Sequence, residues 1–407
     1  MGLRLKRIEE QVLVITGASS GIGLVTARMA AKRGARVMLA ARNEAALARA
    51  VDDIVASGGQ AAYAVTDVSD ERAVERLADA AVREFGGFDT WVNDASVAIY
   101  GTTLQVSTED MRRLFDVNFW GLVHGSRVAV EHLKERFADR AATGGYAGAI
   151  VNLGSTLSDR VVPLLGIYAA SKHAVKAFTD ALRMDLEEEH APISVSLVKP
   201  ACIDTPFYDN ARNYLAEAPQ PTPPVYAPEV AAEAILGCAE RPTRDVFAGG
   251  GAKALSAFGY YAPGLADSAL RVMYETQRSD RPAGDGAGNL YGPLDGGPRG
   301  RYRGKVLESS AYTSATLHPA ATVVAALGIG AALVAGGRLL GSHRDRSAGS
   351  DERAEPRGGE TAAAPLDREV DVASAGVADS AESAQHAPGG AGSSGGGETP
   401  RTDVDGV

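Results

Sequence analysis

The chain has 407 residues, enough for a domain of about 250 residues with a large buried core and a sizeable remainder. Its formal charge of −10 argues against a surface for nucleic acid, and no DNA-binding motif is present. Cys202 and Cys238 are too few for a disulfide framework and have no metal-ligand spacing to any of the seven histidines, so a reducing setting and no metal are expected.

Met1 to Gln11 is charged and lacks the apolar stretch of a secretory signal, so the catalytic part is expected in the cytoplasm. From Gln11 to about Ala248, short aliphatic runs alternate with helix-period segments, the pattern of βαβ units. Strands are predicted at Val12–Thr16, Ala35–Ala40, Ala61–Val65, Thr90–Val92, Ala149–Leu153, Ser194–Val198 and Val246–Ala248, each apolar enough to be buried on both faces. Helices are predicted at about Ile22–Arg33, Glu44–Ser57, Ser69–Phe85, Thr108–Glu135, Tyr168–His190 and Pro228–Glu240. In the third, Val74, Leu77, Ala81 and Phe85 repeat at helical spacing and Gly86-Gly87 ends the run. Right-handed crossovers make this an α/β fold of Rossmann type, a doubly wound, parallel, seven-stranded sheet with helices on both faces.

After a domain at residues 1–250, residues 251–278 carry Leu255, Phe258, Leu265, Leu270 and Met273 at roughly helical spacing, either a cap on the site or a membrane-lying face, with the cap favoured. Residues 279–316, rich in Gly, Pro, Asp and Arg, are expected to be a linker. Residues 317–341 hold the uncharged run Pro319–Gly337, long enough to span a bilayer but rich in Ala and Gly. Membrane association is expected there, with a peripheral or partner-binding helix as the alternative. The tail, residues 342–407, lacks the apolar content to fold and is expected to be disordered.

The chemistry begins at Thr16-Gly17-Ala18-Ser19-Ser20-Gly21-Ile22-Gly23, which follows the first strand and opens the first helix. Gly17 permits a tight turn, Gly21 lets the backbone approach a pyrophosphate, and Gly23 lets helix pack on strand, while the helix N-terminus offers free N–H groups. At the end of the second strand, where an acid would bind the ribose hydroxyls of NAD, the chain reads Leu39-Ala40-Ala41-Arg42. A guanidinium there favours the 2′-phosphate of NADP(H). Asp67, ahead of Val68, could accept from the adenine amino group or cap the next helix. Tyr168 and Lys172 lie four residues apart on one helix face, where the cation together with a positive nicotinamide ring would lower the phenol pKa, and Ser155 follows the fifth strand.

Together these residues resemble the short-chain dehydrogenase/reductase family in its form of about 250 residues, over about Gln11 to Ala248. The resemblance implies that Tyr168 is the acid/base, that Ser155 orients the carbonyl, and that Lys172 binds the nicotinamide ribose. It implies that Asn118, in Asp116-Val117-Asn118-Phe119-Trp120-Gly121, holds a water of the proton relay. Two departures stand out: the usual Asn-Asn-Ala-Gly reads Asn93-Asp94-Ala95-Ser96, and Pro-Gly reads Pro200-Ala201. Asn93, Ala95, Pro200 and Ile203-Asp204-Thr205-Pro206, with Ile203 and Thr205 as the contacts, carry over as cofactor neighbours, alongside Ser19, Ser20, Ile22 and Val68. The implied reaction passes a hydride between NADP(H) and a small-molecule carbonyl or alcohol, with the reductive direction expected. Phe207 to Tyr226, with Phe207, Tyr208 and Tyr214, suggests an apolar substrate wall. A homo-oligomer is expected. The rival is a catalytically silent NADP(H)-sensing scaffold that acts through the C-terminal extension.

Overall fold

Seven strands form one sheet: β1 (Val12–Thr16), β2 (Arg36–Ala41), β3 (Gln60–Val65), β4 (Thr90–Asn93), β5 (Gly148–Leu153), β6 (Ile193–Pro200) and β7 (Asp245–Ala248). Their spatial order is β7-β6-β5-β4-β1-β2-β3 and every pairing is parallel. The computed structural model describes residues 3–138, 145–284, 286–319 and 322.

β1 shows how the sequence makes two cores. Its side chains alternate between faces, so Val12 and Val14 join Trp91, Leu77 and Leu133 on one side, and Leu13 and Ile15 join Leu24, Leu47 and Ile235 on the other. Helices α1 (Gly21–Lys32), α2 (Glu44–Ala56) and α3 (Glu71–Phe85) follow the first three strands. Asp70 caps α3 by accepting from the Arg72 amide, and Gly86, at φ +75, ends it. β3 departs from expectation: as the edge strand it leaves Val65 52% exposed, so it is not buried on both faces.

The long helix predicted at 108–135 is three pieces: α4 (Thr108–Phe115), a π-helical turn (Asp116–Trp120) and α5 (Gly121–Arg136). Such turns often mark functional sites, and Asn118 lies in this one. Helix α6 (Gly166–Glu188) begins two residues before Tyr168, and α7 (Pro228–Glu240) carries proline at its first position.

The largest difference from expectation lies beyond residue 250. Helices α8 (Gly250–Tyr261) and α9 (Pro263–Leu270) follow the sheet, and Arg278–Pro282 pairs antiparallel with Glu217–Pro219. Val306–Leu307 adds a strand beside Val225–Tyr226, which pairs in turn with Cys202–Ile203. Helix α10 (Ala311–Leu317) then seats Leu317 in the core, against the position of Gly237. Residues 279–316 are therefore not a linker. Their order comes from backbone groups that find partners on the main body, a source of structure that apolar periodicity does not report. Apart from residues 319 and 322, the apolar run 319–337 lies outside the described residues, as does the tail. Among the described residues no helix is long and apolar enough to cross a membrane.

Candidate active site

A cavity of about 460 Å³ opens at the carboxyl ends of the strands, where β1 and β4 send their connections to opposite faces. The glycine-rich turn forms one wall. Gly17 has φ +72, and a Cβ there would stand 2.8 Å from the Ala95 nitrogen. A Cβ on Gly23 would stand 2.6 Å from the Gly17 carbonyl, so Gly23 packs helix on strand beneath the cavity while Gly17, Ser19, Ser20, Gly21 and Ile22 line it. Ser20 begins α1 in extended backbone and its side chain caps nothing, which leaves the helix N–H groups to other acceptors.

Arg42, Asp67 and Val68 line the far end. Asp67 does not cap α3; its carboxylate accepts from the Ser69 amide and hydroxyl and from Arg113 at 2.7 Å. Burial works to raise its pKa, but these hydrogen bonds outweigh it and hold the carboxyl below its ordinary value. Arg42, whose pKa burial lowers, donates to the carbonyls of Asn289 and Leu290. Arg113 donates to the Leu290 carbonyl as well, at 3.2 Å. Neither the reach of this C-terminal segment nor Arg113 was foreseen.

At the near end, Ser155, Tyr168 and Lys172 meet. The Ser155 hydroxyl accepts from the Leu157 amide at 3.1 Å, which leaves its proton free to donate. Lys172 Nζ donates to the Leu153 carbonyl at 2.8 Å and lies 5.7 Å from the centre of the Tyr168 ring. Burial pushes the Tyr168 pKa up, hydrogen bonds with Ser155 and Ser96 pull it down, and Asp94 and Cys202 push it up, with a net rise. Burial is the largest of these influences. Burial draws Lys172 down to about 8 against the attraction of Asp94. Asp94 is pushed up to about 7 by burial, opposed by Lys172 and the Gly23 amide.

Asn93 and Asn118 do not line the cavity. The Asn93 amide is spent in a buried network with Trp91, Ser126 and Asn152, so it supports the sheet rather than facing a ligand. Asn118 accepts from the Val97 amide and donates to the Val97 carbonyl and to Ser171. Ser96, where the family pattern has glycine, adds a hydroxyl that donates to Asn118 at 3.3 Å and bonds Tyr168. Its place in the Asn-Asn-Ala-Gly departure was the signal that could have singled it out.

Ala95, Pro200, Ile203 and Thr205 line the cavity. Phe207 and Tyr208 do too, with the Phe207 ring edge-on to Tyr168 at 5.3 Å, whereas Tyr214 turns away to bond Asp110. Leu255, Leu270 and Met273, from the segment 251–278, line the remaining side.

Comparison with known proteins agrees with this geometry. A family profile described as short chain dehydrogenase matches residues 11–215. The uncharacterized oxidoreductase YxnA of Bacillus subtilis is 44% identical over 331 residues, 80% of this chain and 91% of that one. The 3beta-hydroxysteroid dehydrogenase 1 of Eggerthella lenta is 34% identical over 201 residues, covering 49% of this chain and 73% of that one. A short chain dehydrogenase/reductase from Burkholderia phymatum, solved in complex with NAD, shares the fold with a TM-score of 0.56 and 29% identity over 65% of this chain and 96% of that one. With a nucleotide cleft at the topological switch point and a Ser–Tyr–Lys cluster at its end, this chain belongs to the short-chain dehydrogenase/reductase family, oxidoreductases that bind a nicotinamide cofactor.

Proposed function

We propose that the chain is an NADP(H)-dependent reductase of an apolar ketone or aldehyde. The observation that carries the reading is a single cavity with Ser155, Tyr168 and Lys172 at one end and Arg42 at the other. The dinucleotide fits the chain's own residues. The turn at Gly17 and Gly21 has no Cβ to obstruct it, the start of α1 presents amides to a diphosphate, and Arg42 offers a fixed fork to a 2′-phosphate. A bound nicotinamide supplies the hydride.

The chain supplies positioning and the proton. Ser155 donates to the substrate oxygen. Tyr168, its pKa raised by burial, keeps its proton at neutral pH and gives it to the oxygen as charge develops there. Lys172, still largely charged at pH 7, steadies the phenolate left behind and can reach a ribose hydroxyl. Phe207, Leu255, Leu270 and Met273 supply an apolar wall, and the relative named for a hydroxysteroid supports a large apolar substrate.

The test is NADPH oxidation at 340 nm across a panel of ketones and aldehydes, with Tyr168→Phe as control. Turnover lost in that variant supports the reading. Tight NADPH binding with no turnover on any carbonyl or alcohol would favour the silent scaffold instead.

A further inference from the structure

The segment 286–300 runs across the mouth of the nucleotide cleft. It leaves the substrate loop where the Gly286 carbonyl accepts from the Asn213 amide and the Asn289 amide donates to the Asn210 carbonyl, 2.9 and 2.8 Å. It then reaches three donors of the cleft, two of which, the Gly21 amide and Arg42, the proposed function assigns to cofactor phosphates. The Gly297 carbonyl accepts from the Gly21 amide at 3.0 Å, the Asn289 and Leu290 carbonyls accept from Arg42, and the Leu290 carbonyl also accepts from Arg113. Each carbonyl oxygen is the negative end of a peptide dipole, so the strap satisfies these donors with the polarity an anion would bring.

The strap is built to stay in place. The Leu290 side chain is fully buried, Tyr291 donates to Asp110 at 2.8 Å, and Asp295 pairs with Arg49 at 2.6 Å. Arg299 ties its far end to Glu229 and Glu308. Asn289 lines the cavity, so the cleft continues beneath the strap.

We propose that residues 286–300 are a clasp on the dinucleotide site, a part of the binding machinery beyond the residues matched by the family profile, and that the clasp must release Gly21 and Arg42 before a dinucleotide can bind or leave. The proposal rests on the reading of the cleft as a dinucleotide site. The strap meets the cleft at Gly21, Arg42 and Arg113, so it acts on cofactor exchange and not on the proton step.

Stopped-flow fluorescence with NADPH and with NADH tests it on the full chain. Tyr291→Phe with Asp295→Ala removes two anchors that lie off the cleft, and both association and dissociation rates should rise at least threefold. A second variant locks the clasp. A Cβ on Gly296 would stand 3.3 Å from the Pro206 Cβ, close to the span of a disulfide, so Pro206→Cys with Gly296→Cys can be oxidised and then reduced in the same sample, with bond formation followed by mass. Oxidation should slow association at least tenfold, and dithiothreitol should restore it. Equal rates in the oxidised and reduced forms would overturn the clasp even if the loosened variant fails to fold. Binding of NADH but not NADPH would remove the 2′-phosphate reading and leave the clasp to be judged on the NADH rates. No binding of either dinucleotide by any form would overturn both.

Discussion

Asp94 stands where the usual family pattern has asparagine, and its replacement by asparagine has a calculable consequence. Burial holds the carboxyl at about 7 in the folded chain against an ordinary value of 3.8, with the attraction of Lys172 and the Gly23 amide already counted. The folded state therefore binds this proton more tightly than the unfolded one. The stabilisation is complete below about pH 4, is lost as the pH rises through about 7, and changes no further above that. By linkage the difference between about 7 and 3.8 corresponds to about 4 kcal/mol over the whole pH range, of which about 2 kcal/mol falls between pH 5 and 7. In Asp94→Asn the amide oxygen can still accept from Gly23, and the titration is gone. Urea denaturation at intervals from pH 5 to 8.5 should show the variant gaining on the parent steadily up to about pH 7. The gain from pH 5 to pH 7 should be about 2 kcal/mol, while the other carboxylates cancel in the difference, and above pH 7 Lys172, whose pKa Asp94 raises, adds its own contribution. Stability curves that run parallel across this range would refute the buried-carboxyl argument.

Tyr168→Phe should lower kcat/KM for NADPH oxidation by about a hundredfold or more, the scale of a lost general acid, with the dissociation constant for NADPH within about threefold by fluorescence titration. Arg42→Ala removes charge-assisted hydrogen bonds of about 2 kcal/mol and should weaken NADPH about thirtyfold while leaving NADH nearly unchanged, which paired titrations would read. Ser96→Gly restores the usual family residue and removes a hydrogen bond that lowers the Tyr168 pKa. In alcohol oxidation, where the phenolate is the base, the acid limb of the kcat/KM profile should move to higher pH. Leu270→Ala opens the apolar wall and should reduce kcat/KM for a bulky ketone about tenfold but spare a small one, as expected for about 1.4 kcal/mol of lost apolar contact.

The elements nearest the cofactor turn were legible because their residues answer to local rules. Val12–Thr16 and Pro228–Glu240 were read to the residue, one from an unbroken apolar run closed by a glycine turn, the other from proline at a first turn. Tyr168, Lys172 and Ser155 could be placed in one site because order along a βαβ chain fixes which strand ends are neighbours. Burial was not legible in the same way. The Tyr168–Lys172 spacing carries no sign of the burial that raises the Tyr168 pKa, nor of the Phe207 ring packed against it from another strand's loop. Asn93 was named as a cofactor neighbour and Asn118 as the holder of a relay water; their side-chain amides bond Asn152 and Val97, buried partners that no spacing along the chain identifies.

The segment 279–316 was misread for a deeper reason. Periodicity detects a segment that buries a face of its own, and this one buries little besides Leu290. Its order comes from carbonyls that meet the Gly21 amide and the Arg42 guanidinium, from Tyr291 on Asp110, and from Val306–Leu307 joining a small sheet. Those partners are the amides and guanidinium expected to stay open for a dinucleotide, so a reading that assigns them to a ligand has no reason to seek a protein partner for them. The glycines that resembled linker composition serve the same contact. A Cβ on Gly300 would stand 2.5 Å from the Thr205 carbonyl, and one on Gly296 3.2 Å from the Ser20 side chain. Flexible composition and close backbone approach call for the same residue, and only the neighbour across the gap tells them apart.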